Sequence, residues 1–307
     1  MNQAMAVETY QLSKRFKTGT AVDNIDLKVP QGAICGFLGK NGAGKTTTIK
    51  MLTGLKKPTS GEFTIMGKKE SFGKGIGTVG YLPDVPGFYG YMTGYEFLML
   101  CAKLAKVPQS EQKSHVESLL KQVGLFGVKQ KTSGYSRGMR QRLGIAQALI
   151  NSPPVVFLDE PISALDPMGR RDVMEIIAGL KGTTVIFSTH ILSDVENICD
   201  YIIIIEKGKI VEQDTLEGLK SRYLSDIAKV DFYSDGDCAK FVEKIGESSG
   251  ITVEQINPIR ISIQSKNANG AEISRLATSI FAELSLPFKN FGVQGPTLDD
   301  IFYEVTK

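Results

Sequence analysis

The chain has 307 residues, of which 42% are hydrophobic and 22% charged, a composition that fits a globular protein with room for about two domains. Its 36 basic and 33 acidic residues leave a formal net charge of +3 with no block of like charges, too weak a footprint for nucleic acid, so no DNA or RNA partner is expected. No segment approaches the ~20 apolar residues of a membrane span, and Met1 to Lys17 lacks the apolar stretch of a signal peptide; the sequence predicts a cytoplasmic protein.

Val7, Thr9, Ile25, Leu27 and Val29 share one face of an alternating pattern, which predicts half-buried antiparallel strands around a Phe16 to Asp23 loop. The continuous apolar run from Ala33 to Leu38 predicts a buried strand that ends in a glycine-rich loop. Thr46 to Leu55 follows with helical spacing. Thr93-Gly94-Tyr95-Glu96 has the form of a capping box, and a second helical pattern runs from Ser110 to Val123, so residues 93–150 read as a helical insert. Val155 to Leu158 and Thr184 to Phe187 hardly alternate, as parallel strands buried on both faces require. Tyr201 to Ile205, a Glu206-Lys207-Gly208-Lys209 turn and Ile210-Val211 predict a hairpin. The four cysteines, Cys35, Cys101, Cys199 and Cys238, lie far apart with no metal-ligand spacing, and are expected to be reduced core thiols.

Three segments carry chemistry. Gly39-Lys40-Asn41-Gly42-Ala43-Gly44-Lys45-Thr46 fits the phosphate-binding loop pattern, between a strand and a helix as that pattern needs. Glycines let backbone N–H groups turn inward on a β-phosphate, the helix presents its positive end, Lys45 reaches the β- and γ-phosphates and Thr46 ligates Mg²⁺. Thr47 completes this ATP site. At the end of the strand Val155 to Leu158, Asp159 is placed to hold the Mg²⁺ shell and Glu160 to orient or deprotonate the attacking water. His190, which ends the strand beginning at Val185, is placed to donate a hydrogen bond to the γ-phosphate from the same sheet edge, whereas His115 reads as a surface helix residue.

With these motifs in this order, residues 1–224 resemble the nucleotide-binding domain of ABC ATPases. Tyr135-Ser136-Arg137-Gly138-Met139, followed by Arg140-Gln141-Arg142, resembles the family's signature segment. The resemblance implies that Ser136, Arg137, Gly138 and Met139 meet ATP held by an opposite subunit, at the start of a helix running to Ile150. Ser163-Ala164-Leu165-Asp166 resembles the loop that crosses the dimer interface, which places Asp166 at that nucleotide. Phe16 sits where the family stacks an aromatic on adenine; a buried strand phenylalanine is the alternative.

Two departures stand out. The family's signature has glycine and glutamine where this chain has Arg137 and Met139, so Arg137 either directs a charge at phosphate or points to solvent. The family's glutamine after the next strand is here Asp84, in Tyr81-Leu82-Pro83-Asp84; a carboxylate there could reach Mg²⁺ or water but cannot donate as an amide does.

The resemblance implies an ATP- and Mg²⁺-dependent hydrolase. It would pair head to tail with a second copy or a paralogue and move a separate multi-span membrane protein, which holds the chain at the inner face of the membrane. The signature, together with the ending Pro296-Thr297-Leu298-Asp299-Asp300-Ile301-Phe302, implies an exporter. An importer subunit or a soluble ABC ATPase without transport is the alternative. The aromatic run Pro86-Gly87-Phe88-Tyr89-Gly90-Tyr91, within Asp84 to Leu100, is expected to meet the membrane partner.

Residues 225–307 read as a small α+β domain that regulates or dimerises. Strands are expected at Ala228 to Tyr233, Thr252 to Ile256, Ile259 to Ile263 and Phe288 to Val293, with helices at Cys238 to Ile245 and Ala271 to Leu284. That βαββαβ order is ferredoxin-like. A last helix would then carry Leu298, Ile301, Phe302 and Val305 on one face.

Overall fold

The alternating start of the chain folds, in a computed structural model that describes residues 4–73, 77–223, 227–246, 248, 250–265, 270–295 and 297–307, as β1 (Met5–Phe16), β2 (Gly19–Ile25) and β3 (Lys28–Pro30). Phe16 pairs with Gly19 across a tight hairpin, so the loop expected from Phe16 to Asp23 is mostly strand. With β4 (Ile34–Leu38), α1 (Lys45–Leu52), β5 (Ser60–Ile65), β6 (Lys68–Glu70) and β7 (Val79–Leu82), the chain lays down an antiparallel sheet, β2-β1-β5-β6 with β3 against β1, and starts a second sheet. α1 stops three residues short of the expected Leu55, because Gly54 adopts φ 72, outside helical space.

The insert follows as α2 (Gly94–Leu104), α3 (Gln112–Gln122) and α4 (Arg137–Ala148). Thr93 caps α2 in a true capping box, its hydroxyl accepting from Glu96 N–H at 3.2 Å while the Glu96 carboxylate accepts from Thr93 N–H at 2.8 Å. His115 is not a free surface residue. Its Nε2 lies 2.9 Å from the Ile150 carbonyl and ties α3 to the end of α4.

β8 (Val155–Asp159), α5 (Pro167–Ala178), β9 (Thr184–Thr189), α6 (Leu192–Glu196), β10 (Tyr201–Glu206) and β11 (Lys209–Thr215) complete the second sheet, in the order β11-β10-β4-β9-β8-β7. Strands β10, β4, β9, β8 and β7 are mutually parallel, and β11 closes one edge antiparallel. Every residue of β8 and β9 is buried, which explains their lack of alternation. Val7, Leu12, Phe63 and Ile65 of the antiparallel sheet share one core with Phe37, Ile49, Phe157 and Ile203. Because the central strands run parallel, the residues leaving β4, β7, β8 and β9 all emerge at one edge of the sheet, where open α/β folds bind ligands.

The chain divides into two units at Leu216 and Glu217, ahead of the 224/225 boundary expected from sequence, since α7 (Leu216–Arg222) belongs almost wholly to the second. That unit runs β12 (Ile227–Phe232), α8 (Asp235–Gly246), β13 (Ile251–Asn257), β14 (Arg260–Ser265), α9 (Gly270–Glu283), β15 (Phe288–Gln294) and α10 (Leu298–Val305). Its sheet is antiparallel throughout in the order β13-β14-β12-β15, with Phe232, Phe241 and Phe281 at the core and the last two rings stacked at 4.8 Å. α8 starts earlier than Cys238 because Ser234 caps it, accepting from Asp237 N–H at 3.2 Å. Thr297 caps α10 through Asp300 in the same way, while Pro296 lies outside the described residues.

Candidate functional site

The loop after β4 wraps the N-terminus of α1 and forms one wall of a cleft lined by Ala21, Lys40, Asn41, Gly42, Ala43, Gly44, Lys45, Thr46 and Thr47. Asp84, Glu160, Ser163 and His190 line the other side, so the ends of β7, β8 and β9 face the loop. Gly44 has φ 115, and a Cβ there would stand 2.7 Å from the Ala21 carbonyl, so no other residue fits. The exposed N–H groups of this loop and helix start form an anion cradle.

Lys45 is 6% exposed, and its ammonium donates to the Gly39 carbonyl at 2.6 Å and lies 3.4 Å from Glu160 Oε1. Thr46 Oγ1 donates to Asp159 Oδ1 at 2.9 Å. Asp159, 1% exposed at the end of β8, also accepts from Ser188 Oγ at 2.8 Å. Ser188 in turn accepts from the Glu160 N–H at 2.9 Å. Glu160 sits at φ 50, a left-handed conformation that costs a non-glycine residue about 1–2 kcal/mol. The strain turns its carboxylate back over the loop, where Oε2 lies 3.1 Å from His190 Nδ1.

A threonine hydroxyl and a buried carboxylate at the cleft floor are hard oxygen donors, and Mg²⁺ binds with few protein ligands when substrate phosphates and water supply the rest. Thr46 and Asp159 fit that ion. Among the described residues no cluster of three histidine, cysteine or acidic side chains forms a metal cage.

Ser188 was not singled out by sequence reasoning, although a Ser-Thr pair closing an otherwise apolar strand is a visible signal. Tyr81, on β7, is a second buried polar group of this region. Burial, then the charges of Asp159 and Asp84, push its hydroxyl up to about 12.

Phe16 is 40% exposed at the hairpin end, not a buried strand residue, with the ammonium groups of Lys56 and Lys14 at 4.7 and 5.4 Å from its ring centre. Ser136, Arg137, Gly138, Met139 and Asp166 are not brought into the cleft of their own chain. Ser136 caps α4, accepting from Met139 N–H at 3.2 Å, and Asp166 caps α5, accepting from Gly169 N–H at 2.8 Å. Arg137 points neither to solvent alone nor into the cleft; its Nη2 lies 3.7 Å from Asp84 Oδ1.

The comparisons agree with this geometry. Residues 22–163 match the family model described as ABC transporter. An uncharacterized ABC transporter ATP-binding protein of Nostoc sp. is 43% identical over 230 residues, covering 71% of this chain and 69% of its own. The bacitracin transport ATP-binding protein BcrA of Bacillus licheniformis is 41% identical over 224 residues, covering 70% and 72%. Among solved structures, an ATP-binding subunit of an ABC transporter superposes with a TM-score of 0.64 at 29% identity, over 71% of this chain and 93% of that one. A dimeric ATP-binding cassette in a post-hydrolysis state with ADP and Pi gives 0.62 at 25% identity, over 68% and 98%. A phosphate-binding loop, a buried Asp159, a strained Glu160 and a strand-end His190 converging on one cleft complete the case: the chain belongs to the ABC transporter family as an ATP-binding, ATP-hydrolysing subunit.

Proposed function

We propose that two copies of this chain, or one copy and a paralogue, close head to tail on ATP and Mg²⁺ and so drive a membrane-spanning exporter at the inner face of the cell membrane. The observation that carries the sandwich is Gly138. Glycine is a poorer helix former than alanine, yet a Cβ at 138 would meet nothing within 4 Å beyond its own helix backbone and chain neighbours. The close approach that keeps a side chain away is therefore expected from outside, and a nucleotide held by the facing subunit supplies it. Ser136 and the first N–H groups of α4 would donate to its γ-phosphate.

Within the cleft, Thr46 and Asp159 would hold Mg²⁺, which supplies charge neutralisation between the phosphates. Lys45 neutralises the phosphate oxygens, Glu160 orients the attacking water and takes its proton, and His190 fixes the glutamate and reaches the γ-phosphate. Export is supported by the likeness to bacitracin transport ATP-binding proteins of Bacillus licheniformis and Enterococcus faecalis. Among the described residues no helix is long and apolar enough to cross a membrane, so a separate spanning partner is part of the reading. The exposed side chains of Val85, Tyr89 and Tyr91 would face that partner.

Residues 225–307 are proposed to regulate or stabilise the dimer. Deleting them should leave nucleotide binding in place while changing dimer stability or turnover; a truncation equal to the full chain in both would remove that role. The sandwich itself is tested by measuring ATPase activity against protein concentration. A rise steeper than linear is expected, and strictly linear activity on dilution would overturn it.

A further inference from the structure

Helix α4 grips the exit of β7 at three points on one face. Gly144 packs so closely that a Cβ there would stand 2.4 Å from Leu82 Cδ1 and 3.3 Å from Pro86 Cβ. One turn earlier, buried Gln141 donates from Nε2 to the Asp84 carbonyl at 2.9 Å. A further turn back, Arg137 reaches the Asp84 carboxylate. Positions 137, 141 and 144 follow the i, i+4, i+7 spacing of a single helical face. Asp84 is thus held by both its main chain and its side chain, and that side chain also lines the nucleotide cleft.

We propose that Asp84 and Arg137 form an ionic latch that fixes the first turn of α4, and with it Ser136 and Gly138, relative to the nucleotide cleft. The inference rests on the sandwich reading above and adds two positioning residues to it. Of the three positions at which the sequence departs from the family it resembles, 84, 137 and 139, the first two face each other. A carboxylate beside a site for polyphosphate is repelled by the substrate's charge, and a guanidinium 3.7 Å away offsets that charge and ties the carboxylate to the signature helix. Arg137 is therefore turned toward its own chain, while its neighbours Ser136 and Gly138 are left to face a partner. The i, i+4, i+7 grip makes α4 and residues 82–86 move as one piece, so a displacement of Asp84 by nucleotide shifts the surface presented to the second subunit.

Both side chains are about half exposed, at 47% and 50%, so the pair is screened by salt and of modest strength. The test is a double-mutant cycle on the full chain with Asp84→Asn, Arg137→Gln and both together, reading ATPase kcat and KM at low and high salt. Each single change should lower kcat by roughly two- to fivefold, the range of partly exposed ion pairs. KM should rise for Arg137→Gln, which leaves the Asp84 carboxylate uncompensated beside the phosphates, and should not rise for Asp84→Asn; the double variant should be no worse than the worse single, and Arg137→Lys should keep nearly full rate. High salt should lower the wild-type rate and leave the double variant unaffected. Multiplicative single effects, or a lysine variant no better than the glutamine one, would overturn the latch.

Hydrogen exchange at the first-turn amides of α4, read in the same variants, does not depend on the sandwich. Each single change should speed exchange and the double should add nothing further; exchange unchanged in both singles would overturn the latch even if turnover proved linear in protein concentration and the sandwich reading fell.

Discussion

His190 Nδ1 lies 3.1 Å from Oε2 of Glu160, and the same carboxylate has Lys45 Nζ 3.4 Å from its other oxygen. Glu160 is therefore held between two cationic or proton-bearing groups that both face the phosphate cradle. Glu160→Gln keeps the shape and loses the proton acceptor, so turnover should fall by about 10²–10⁴-fold, the usual worth of a positioned general base. ATP binding should survive, and the closed dimer should accumulate. Size-exclusion chromatography in ATP reads this; a variant that stays monomeric, or one that still turns over, would show that Glu160 is not the base.

Ser188 binds both neighbouring site residues at once, donating to Asp159 and accepting from the Glu160 N–H. It is fully buried. Ser188→Ala leaves that N–H without its acceptor and Asp159 with one donor fewer, at a cost of about 1–3 kcal/mol. Because the N–H belongs to the strained residue, kcat should fall about tenfold with little change in nucleotide affinity. Equal losses in affinity and kcat would point to a general loss of folding instead.

Much of this arrangement was legible in the sequence, for identifiable reasons. Apolar runs ending in Gly39, Asp159 and His190 mark parallel strands, and parallel strands deliver their exits to one edge, so the cleft follows from pattern alone. α5 was missed although Asp166-Pro167 offers an N-cap followed by proline at the first turn, with Val173, Met174 and Ile177 at helical spacing. The ionic link of Asp84 to Arg137 was not readable, because 52 intervening residues hide which helix face meets which strand exit. Ser188 escaped for a related reason: its weight comes from two hydrogen bonds across adjacent strands, which a one-dimensional pattern does not display.

The expected aromatic contact with a membrane partner divides in two. Phe88 packs edge-on against Phe97, ring centres 5.0 Å apart at 85°, whereas Tyr89 and Tyr91 are 53% and 67% exposed. Phe88→Ala should cost about 3–5 kcal/mol if its ring is fully used in the insert core, and less in proportion to its partial burial. Tyr91→Ala should leave the melting temperature and the basal ATPase of the isolated chain unchanged, and weaken coupling to the proposed membrane partner. The pair of melting curves and a transport assay decide; a Tyr91 variant that melts early would make that residue structural.

In the second unit, Arg260 bonds both carboxylate oxygens of Asp231, its cross-strand partner between β14 and β12. The Arg260 guanidinium, through its hydrogen bond first and its charge second, holds the Asp231 carboxyl below its ordinary 3.8. A depressed folded value means stability that is present above 3.8 and lost as pH falls from there through the folded value. Arg260→Gln should therefore lower the melting temperature near neutral pH and converge with wild type in acid. A difference that persists unchanged below the ordinary aspartate range would assign the effect to packing rather than charge.

Gly138 and Gly144 lie on one helix and make opposite demands. A Cβ at 144 would meet the buried Leu82 at 2.4 Å, whereas a Cβ at 138 meets nothing of this chain. Gly144→Ala overfills a packed contact and should destabilise the fold by about 1–3 kcal/mol. Gly138→Ala should do the reverse, raising stability by up to about 1 kcal/mol, because alanine loses less backbone entropy in a helix. Its penalty should appear only when a second copy and its nucleotide arrive, as a loss of ATP-driven dimerisation and of turnover. Thermal melting of the two variants beside their ATP-dependent size-exclusion profiles separates these effects. A Gly138 variant that is both more stable and fully able to dimerise would mean that no nucleotide approaches this helix start, and the sandwich proposed for this chain would lose the observation that carries it.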